Sequence, residues 1–242
     1  MGPVKPAVVP PTTASDHSRR PGSWARAAES VPHKSSQTIE NLINGFDTMP
    51  LHLLHRLFMS GARFDPGGFY EFNLAEGAVK TRDGSRVLIL SDNAVAPLVS
   101  TAVRTGDLTP IRQLGREIGE MVASSLGSPA TECTVDRVLG HAASVLALFG
   151  WGRLGIQRWG DALVIGVTHA PTLDDDFLAL AALLGGLFSV LARREVACVP
   201  TGSQGRFVVV DPTVAEQVWN WTREGADLST VVGRLTPAEA AF

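Results

Sequence analysis

Cysteine is nearly missing from this sequence. The two thiols, Cys133 and Cys198, are too few for a disulfide framework and too far apart for a CxxC metal clamp. That scarcity fits a reduced, cytoplasmic setting. Charge is thin as well, at 19% of residues, and the net value of −3 leaves no electrostatic footprint for nucleic acid or an anionic membrane surface. Long apolar runs are also lacking. The longest, Phe177 to Ala192, has about 16 residues against the roughly 20 that a membrane-spanning helix needs. It lies between Asp174-Asp175-Asp176 and Arg193-Arg194, charges that suit the two ends of a helix dipole, so a buried core helix is expected. The N-terminus has prolines at positions 3, 6, 10, 11 and 21 and no apolar stretch of signal-peptide length. Pro6 stands where N-myristoylation needs Ser or Thr.

Catalytic signatures are missing too. No phosphate loop or dinucleotide fingerprint occurs: the glycines from Gly150 to Gly160 follow a predicted helix, where such motifs need a strand leading into a helix. Ser203, between Gly202 and Gly205, is not a nucleophile elbow and falls in a predicted hairpin turn. His52 and His55 have no acidic or cysteine partner nearby, and His141 and His169 have no acid or nucleophile fixed close in sequence. The three aspartates at 174–176 read as helix capping. The residues therefore predict no enzyme, no cofactor and no metal site.

What is present is a chain of 242 residues with 45% apolar content, enough for one large domain preceded by an arm. Residues 1–37, rich in Pro, Ser, Thr and Ala without apolar period, read as a disordered arm that is a solvated tail or a docking tether. Residues 38–62 form a helical lead-in broken at Pro50, with Leu51, Leu54, Leu57 and Phe58 on one face. Residues 63–242 form a single α+β domain.

Within that domain, Phe69 to Leu90 predicts a β unit that turns at Glu76-Gly77 and Asp83-Gly84 and ends in a strand, Arg86 to Leu90. Helices follow over 93–103 and from Thr109-Pro110, the latter with Thr109 as N-cap and apolar residues Ile111, Leu114, Ile118, Met121, Val122 and Leu126. Gly115 and Gly119, four apart, make a smooth strip where another backbone can pack closely. A third helix, opening on residues 133–136, ends at Gly150. Then Leu154 and Ile156 alternate on one strand and Leu163, Ile165 and Val167 on the next, with Gly160-Asp161 as a two-residue turn. A last hairpin (195–199 and 206–210), an amphipathic helix after Asp211-Pro212 and a short helix around Leu228 to Leu235 complete the domain. Strands come as adjacent hairpins, so the sheet is expected to be antiparallel with helices packed on it.

Four of the five tryptophans, Trp151, Trp159, Trp219 and Trp221, lie in the C-terminal half. Large apolar faces with one donor fill cores, oligomer interfaces and sugar-binding platforms alike, and all three readings stay open.

The stretch from Arg116 to Gly152 resembles the D-subunit family of bacterial cellulose synthase, encoded in bacterial cellulose operons. The matching residues are Arg116-Glu117-Ile118-Gly119, Thr134-Val135-Asp136 and Leu146 to Gly152 (LALFGWG), followed more weakly by residues 161–165, 178–188 and 205–210. The resemblance implies a non-catalytic accessory that forms homo-oligomers, joins other cellulose synthase subunits at an inner-membrane complex and helps order glucan chains. It makes Trp151, Trp159, Gly115, Gly119, Trp219 and Trp221 candidates for interface or glycan contact. A broader likeness, from Phe64 to Val210, is to V4R domains related to TRAPP subunits, some of which sense small apolar ligands or hold zinc. Here Cys198 is kept, while Gly205 stands where a second cysteine is common.

Overall fold

The computed structural model describes residues 67–126, 133–160, 162–202 and 205–235. The arm, the helical lead-in with His52 and His55, Asp161 and Ser203 lie outside them. The described residues have an α+β fold with two antiparallel sheets.

The small sheet has the order β1 (Tyr70–Asn73), β2 (Ala78–Thr81) and β3 (Arg86–Val87). The expected strand 86–90 is cut short. Val87 pairs with Val79, and β2 begins one residue earlier in that direction, at Ala78. Only Leu88 would still face a β2 residue, Ile89 and Leu90 would have none, and all three are exposed outside any strand.

Three helices follow: α1 (Asp92–Thr105), α2 (Thr109–Ser125) and α3 (Val135–Leu148). Leu108, not Thr109, occupies the N-cap of α2, and the Asp107 carboxylate accepts from the Thr109 N–H at 3.1 Å. The apolar spacing located the buried face of α2: Ile111, Ile118, Val122 and Leu126 are buried and Met121 packs on the same core. Leu114 is exposed, and Arg112, Gly115 and Gly119 complete the buried face. Thr134 caps α3, its hydroxyl accepting from the Arg137 N–H.

The main sheet has the order β4-β5-β7-β6, from β4 (Arg153–Trp159), β5 (Ala162–Thr168), β6 (Ala197–Pro200) and β7 (Arg206–Val210). Both hairpins form as expected, and pairing of Leu163 to Gly166 with Val209 to Arg206 joins them into one sheet. Alternation along the strands feeds two cores. Ile156, Ile165, Phe207 and Val209 meet the larger core with α1 to α3 and α4 (Leu178–Ala192). Ala197, Val199, Val208 and Val210 meet a second core on the other face, with α5 (Ala215–Arg223) and α6 (Leu228–Arg234). Sheet residues buried on both faces explain the near-continuous apolar run of β6 and β7.

Helix α4 occupies the centre, with thirteen of its fifteen residues buried. Of the three aspartates before it, Asp174 caps the helix, accepting from the N–H groups of Leu178 at 2.7 Å and Ala179 at 3.0 Å. Burial nevertheless raises the Asp174 pKa, against the lowering effect of those two donors. At fifteen residues α4 extends about 22 Å, and no helix among the described residues is long and apolar enough to cross a membrane.

Candidate functional site

The Leu146 to Gly152 segment lies at the end of α3. Gly150, with φ at 77°, gives its N–H to the Ala147 carbonyl, and Trp151 gives its N–H to the Leu146 carbonyl. These paired bonds form a Schellman stop, which needs a left-handed residue after the cap and favours an apolar contact from the one following. Trp151 supplies that contact by packing against the larger core. Gly152, at φ 95°, is forced by its surroundings, since a Cβ there would lie 2.7 Å from the Thr168 carbonyl oxygen. The FGWG segment thus ends one helix, plants an indole and starts β4 within four residues. It also anchors the small sheet: the Tyr70 hydroxyl donates to the Leu148 carbonyl, and Phe69 and Tyr70 meet the Phe149 ring edge-on.

Gly115 and Gly119 face α4 of the same chain. A Cβ at Gly115 would sit 1.9 Å from the Leu183 carbonyl oxygen, and one at Gly119 would sit 2.9 Å from the Val190 Cβ. Helix α4 answers with glycines of its own, since a Cβ at Gly186 would lie 2.0 Å from the Arg112 carbonyl oxygen. The close backbone that the strip was expected to accept is therefore intramolecular, and the two glycines make the α2–α4 contact.

Beside these glycines lies an ionic cluster that spacing did not reveal. Arg112 Nη2 donates to Glu195 Oε2 at 2.6 Å, to the Val196 carbonyl at 2.9 Å and to Ser189 Oγ at 3.0 Å. Arg116 pairs with the other oxygen of Glu195. Ser189 also accepts from the Val196 N–H, so the cluster ties α2, α4 and the entry to β6 together. The partners stand 83 residues apart, and the available signal was two arginines, 112 and 116, sharing a helix face with two glycines.

Cys198 is fully buried near Arg112, and burial pushes its thiol up to about 12 although the Arg112 charge pulls the other way. Such a thiol stays protonated and unreactive at neutral pH. It borders a cavity of about 20 Å³ lined also by Leu108, Arg112, Leu178 and Pro200, room for about one water molecule. A side chain at position 205 has no space: φ is 68°, and a Cβ would lie 2.3 Å from the Val167 carbonyl oxygen.

The fold brings one pair together that the sequence left apart. Ser125 Oγ lies 2.6 Å from His141 Nε2. The serine hydroxyl donates to the Val122 carbonyl, however, which is a helix back-bond. Burial, and the nearby Arg137 charge, lower the His141 pKa and favour the neutral ring.

The remaining tryptophans are half-buried. Trp219 and Trp221 pack against the second core, and the Arg234 guanidinium lies over the Trp221 ring, 5.4 Å from its centroid. An open, polar depression beside them is lined by Glu216, Gln217, Asn220, Trp221, Glu224 and Arg234. Trp159 closes the β4–β5 hairpin opposite Ala162, and its indole N–H donates to the Gln157 side chain at 3.3 Å.

The site so defined belongs to an α+β domain with helices on both faces of an antiparallel sheet. No protein-family model matches the sequence, and no curated protein matches it.

Proposed function

We propose that this protein is a non-catalytic structural accessory of bacterial cellulose, or related exopolysaccharide, synthesis and export, similar in role to the D-subunit family of cellulose synthase. It acts as a homo-oligomer together with other components of the synthase complex. One observation carries this reading. Among the residues that resemble that family (116–119, 134–136 and 146–152), Gly119 packs against α4, Thr134 caps α3, and Phe149 to Gly152 stop it and lead into the hairpin. A shared signature made of a cap and a helix stop fits a common scaffold with no reacting group to preserve. The half-exposed indoles Trp151 and Trp159 are the candidates for contact between copies, and the polar depression around Trp221 is the candidate for a glucan chain.

The V4R-type reading, a small-molecule sensor, draws less support. Ligand pockets occupy roughly 300 Å³ or more, whereas the cavity beside Cys198 is about 20 Å³. Position 205 has no room for a second cysteine.

Deletion of the gene in a cellulose-exporting host tests the proposal. Cellulose yield or crystallinity should fall several-fold and return on complementation with the wild-type gene. Unchanged polymer in the deletion strain contradicts it.

A further inference from the structure

Arg112 uses its donors unevenly. Nη2 alone meets Glu195, Val196 and Ser189. Nε is buried and has no hydrogen-bond partner among the described residues. The side chain is only 8% exposed, and it lines the small cavity beside Cys198. A buried donor on a charged group is costly to leave without an acceptor.

The open edge of β6 brings a second donor to the same place. Hydrogen-bonded pairs alternate along an antiparallel ladder. Thr201 gives its N–H to the Arg206 carbonyl, so Val199 and Ala197 also bond to β7, while Val196, Cys198 and Pro200 turn their main-chain groups to the open side. Ser189 and Arg112 take up both groups of Val196. Pro200 has no N–H to leave unpaired. The Cys198 N–H remains. Its nitrogen lies close to Arg112, since a Cβ added at Gly185 would be 3.6 Å from Cys198 N and 2.5 Å from Arg112 Nη1.

Charge is unbalanced here. Arg112 and Arg116 share one carboxylate, Glu195, which leaves the cluster with one surplus positive charge. Among the described residues no acidic side chain lines the cavity. Cys198 supplies no negative charge either, because burial keeps its thiol protonated. The volume of about 20 Å³ admits a ligand of one heavy atom.

We propose that the cavity beside Cys198 binds one small monovalent anion, such as chloride, held by the Arg112 guanidinium and the Cys198 N–H. A water molecule is the rival occupant, as the Cys198 carbonyl leaves the same strand edge. The surplus charge favours the anion. Bound there, it joins α2 to the open edge of β6 and stabilises the fold by mass action.

The full-length chain in sodium chloride, compared with sodium gluconate at equal ionic strength, provides the test. Gluconate is too large for the cavity. The thermal midpoint should be several degrees higher in chloride and rise with the logarithm of its concentration. The Cys198 amide resonance should move along a saturating curve as chloride replaces gluconate. Arg116→Ala removes the surplus charge from a side chain that is 26% exposed, so the fold is kept. It should raise the chloride concentration at half-saturation several-fold. Equal midpoints in the two salts, an unmoved Cys198 amide, or the same half-saturation in Arg116→Ala would each overturn the proposal, the first leaving water as the occupant.

Discussion

Gly115→Ala is expected to lower stability by about 3 kcal/mol or more, at the upper end of overpacking costs. The substitution removes a glycine from a helix interior, which alone would stabilise by up to about 1 kcal/mol. Geometry reverses the sign. The new Cβ would lie 1.9 Å from the Leu183 carbonyl oxygen, a backbone atom that no rotamer change can move. α2 and α4 must separate, and the reciprocal contact of Gly186 with Arg112 opens with them. For a domain of this size the thermal midpoint should fall by roughly 6–12 °C, followed by circular dichroism. Gly233→Ala is the control. It sits in α6 with no atom within 4 Å of the added carbon, so it should leave the midpoint unchanged or raise it slightly.

Glu195→Ala carries the second large effect. Arg112 is 8% exposed at its side chain and Glu195 18%. Removing the carboxylate leaves one guanidinium buried without its counter-charge, which typically costs about 3–5 kcal/mol. It also frees Arg116, which is more exposed and re-solvates. Arg116→Ala should therefore cost about 1 kcal/mol or less. The urea midpoint should drop for Glu195→Ala with an unchanged slope, since the fold stays the same and only its stability changes. Combining Glu195→Leu with Arg112→Met should cost less than the sum of the two single changes, because a buried pair is removed whole.

These two effects rest on features of unequal visibility in the sequence. The glycines at 115 and 119 stood out at once, and the expectation of a closely packed backbone was sound in kind. A single sequence could not say that the backbone was α4. That required knowing that Gly186, about seventy residues on, faces the same gap. The Arg112–Glu195 pair was invisible for the same reason, as an arginine four residues before another reads as a solvated face.

Local signals were read more reliably. Asp174, Thr134 and Gly150 each cap or stop a helix through bonds to neighbours within five residues. The hairpin from Arg153 to Thr168 followed from alternation and its turn. The strand 86–90 failed because strand length is set by the partner, and β2 is only four residues long. The second core escaped notice since Val208 and Val210 look the same in sequence as Phe207 and Val209, and the side a residue faces is fixed by α5 and α6.

The segment from Leu146 to Gly152 and the hairpin after it form a folding element. Its glycines and tryptophans suggest a site, yet Gly150 and Gly152 set backbone conformation and Trp151 completes a helix stop. What remains available for partners is the half-exposed part of Trp151 and of Trp159.

Assembly is the property that decides between a structural role and its alternatives. Static light scattering of the full-length chain at micromolar concentration measures it directly. A discrete oligomer is expected, with a mass that is a whole-number multiple of 25.7 kDa, reduced in size or affinity by Trp159→Ala while the thermal midpoint holds. A species of 25.7 kDa at every concentration would contradict a structural role built on self-assembly.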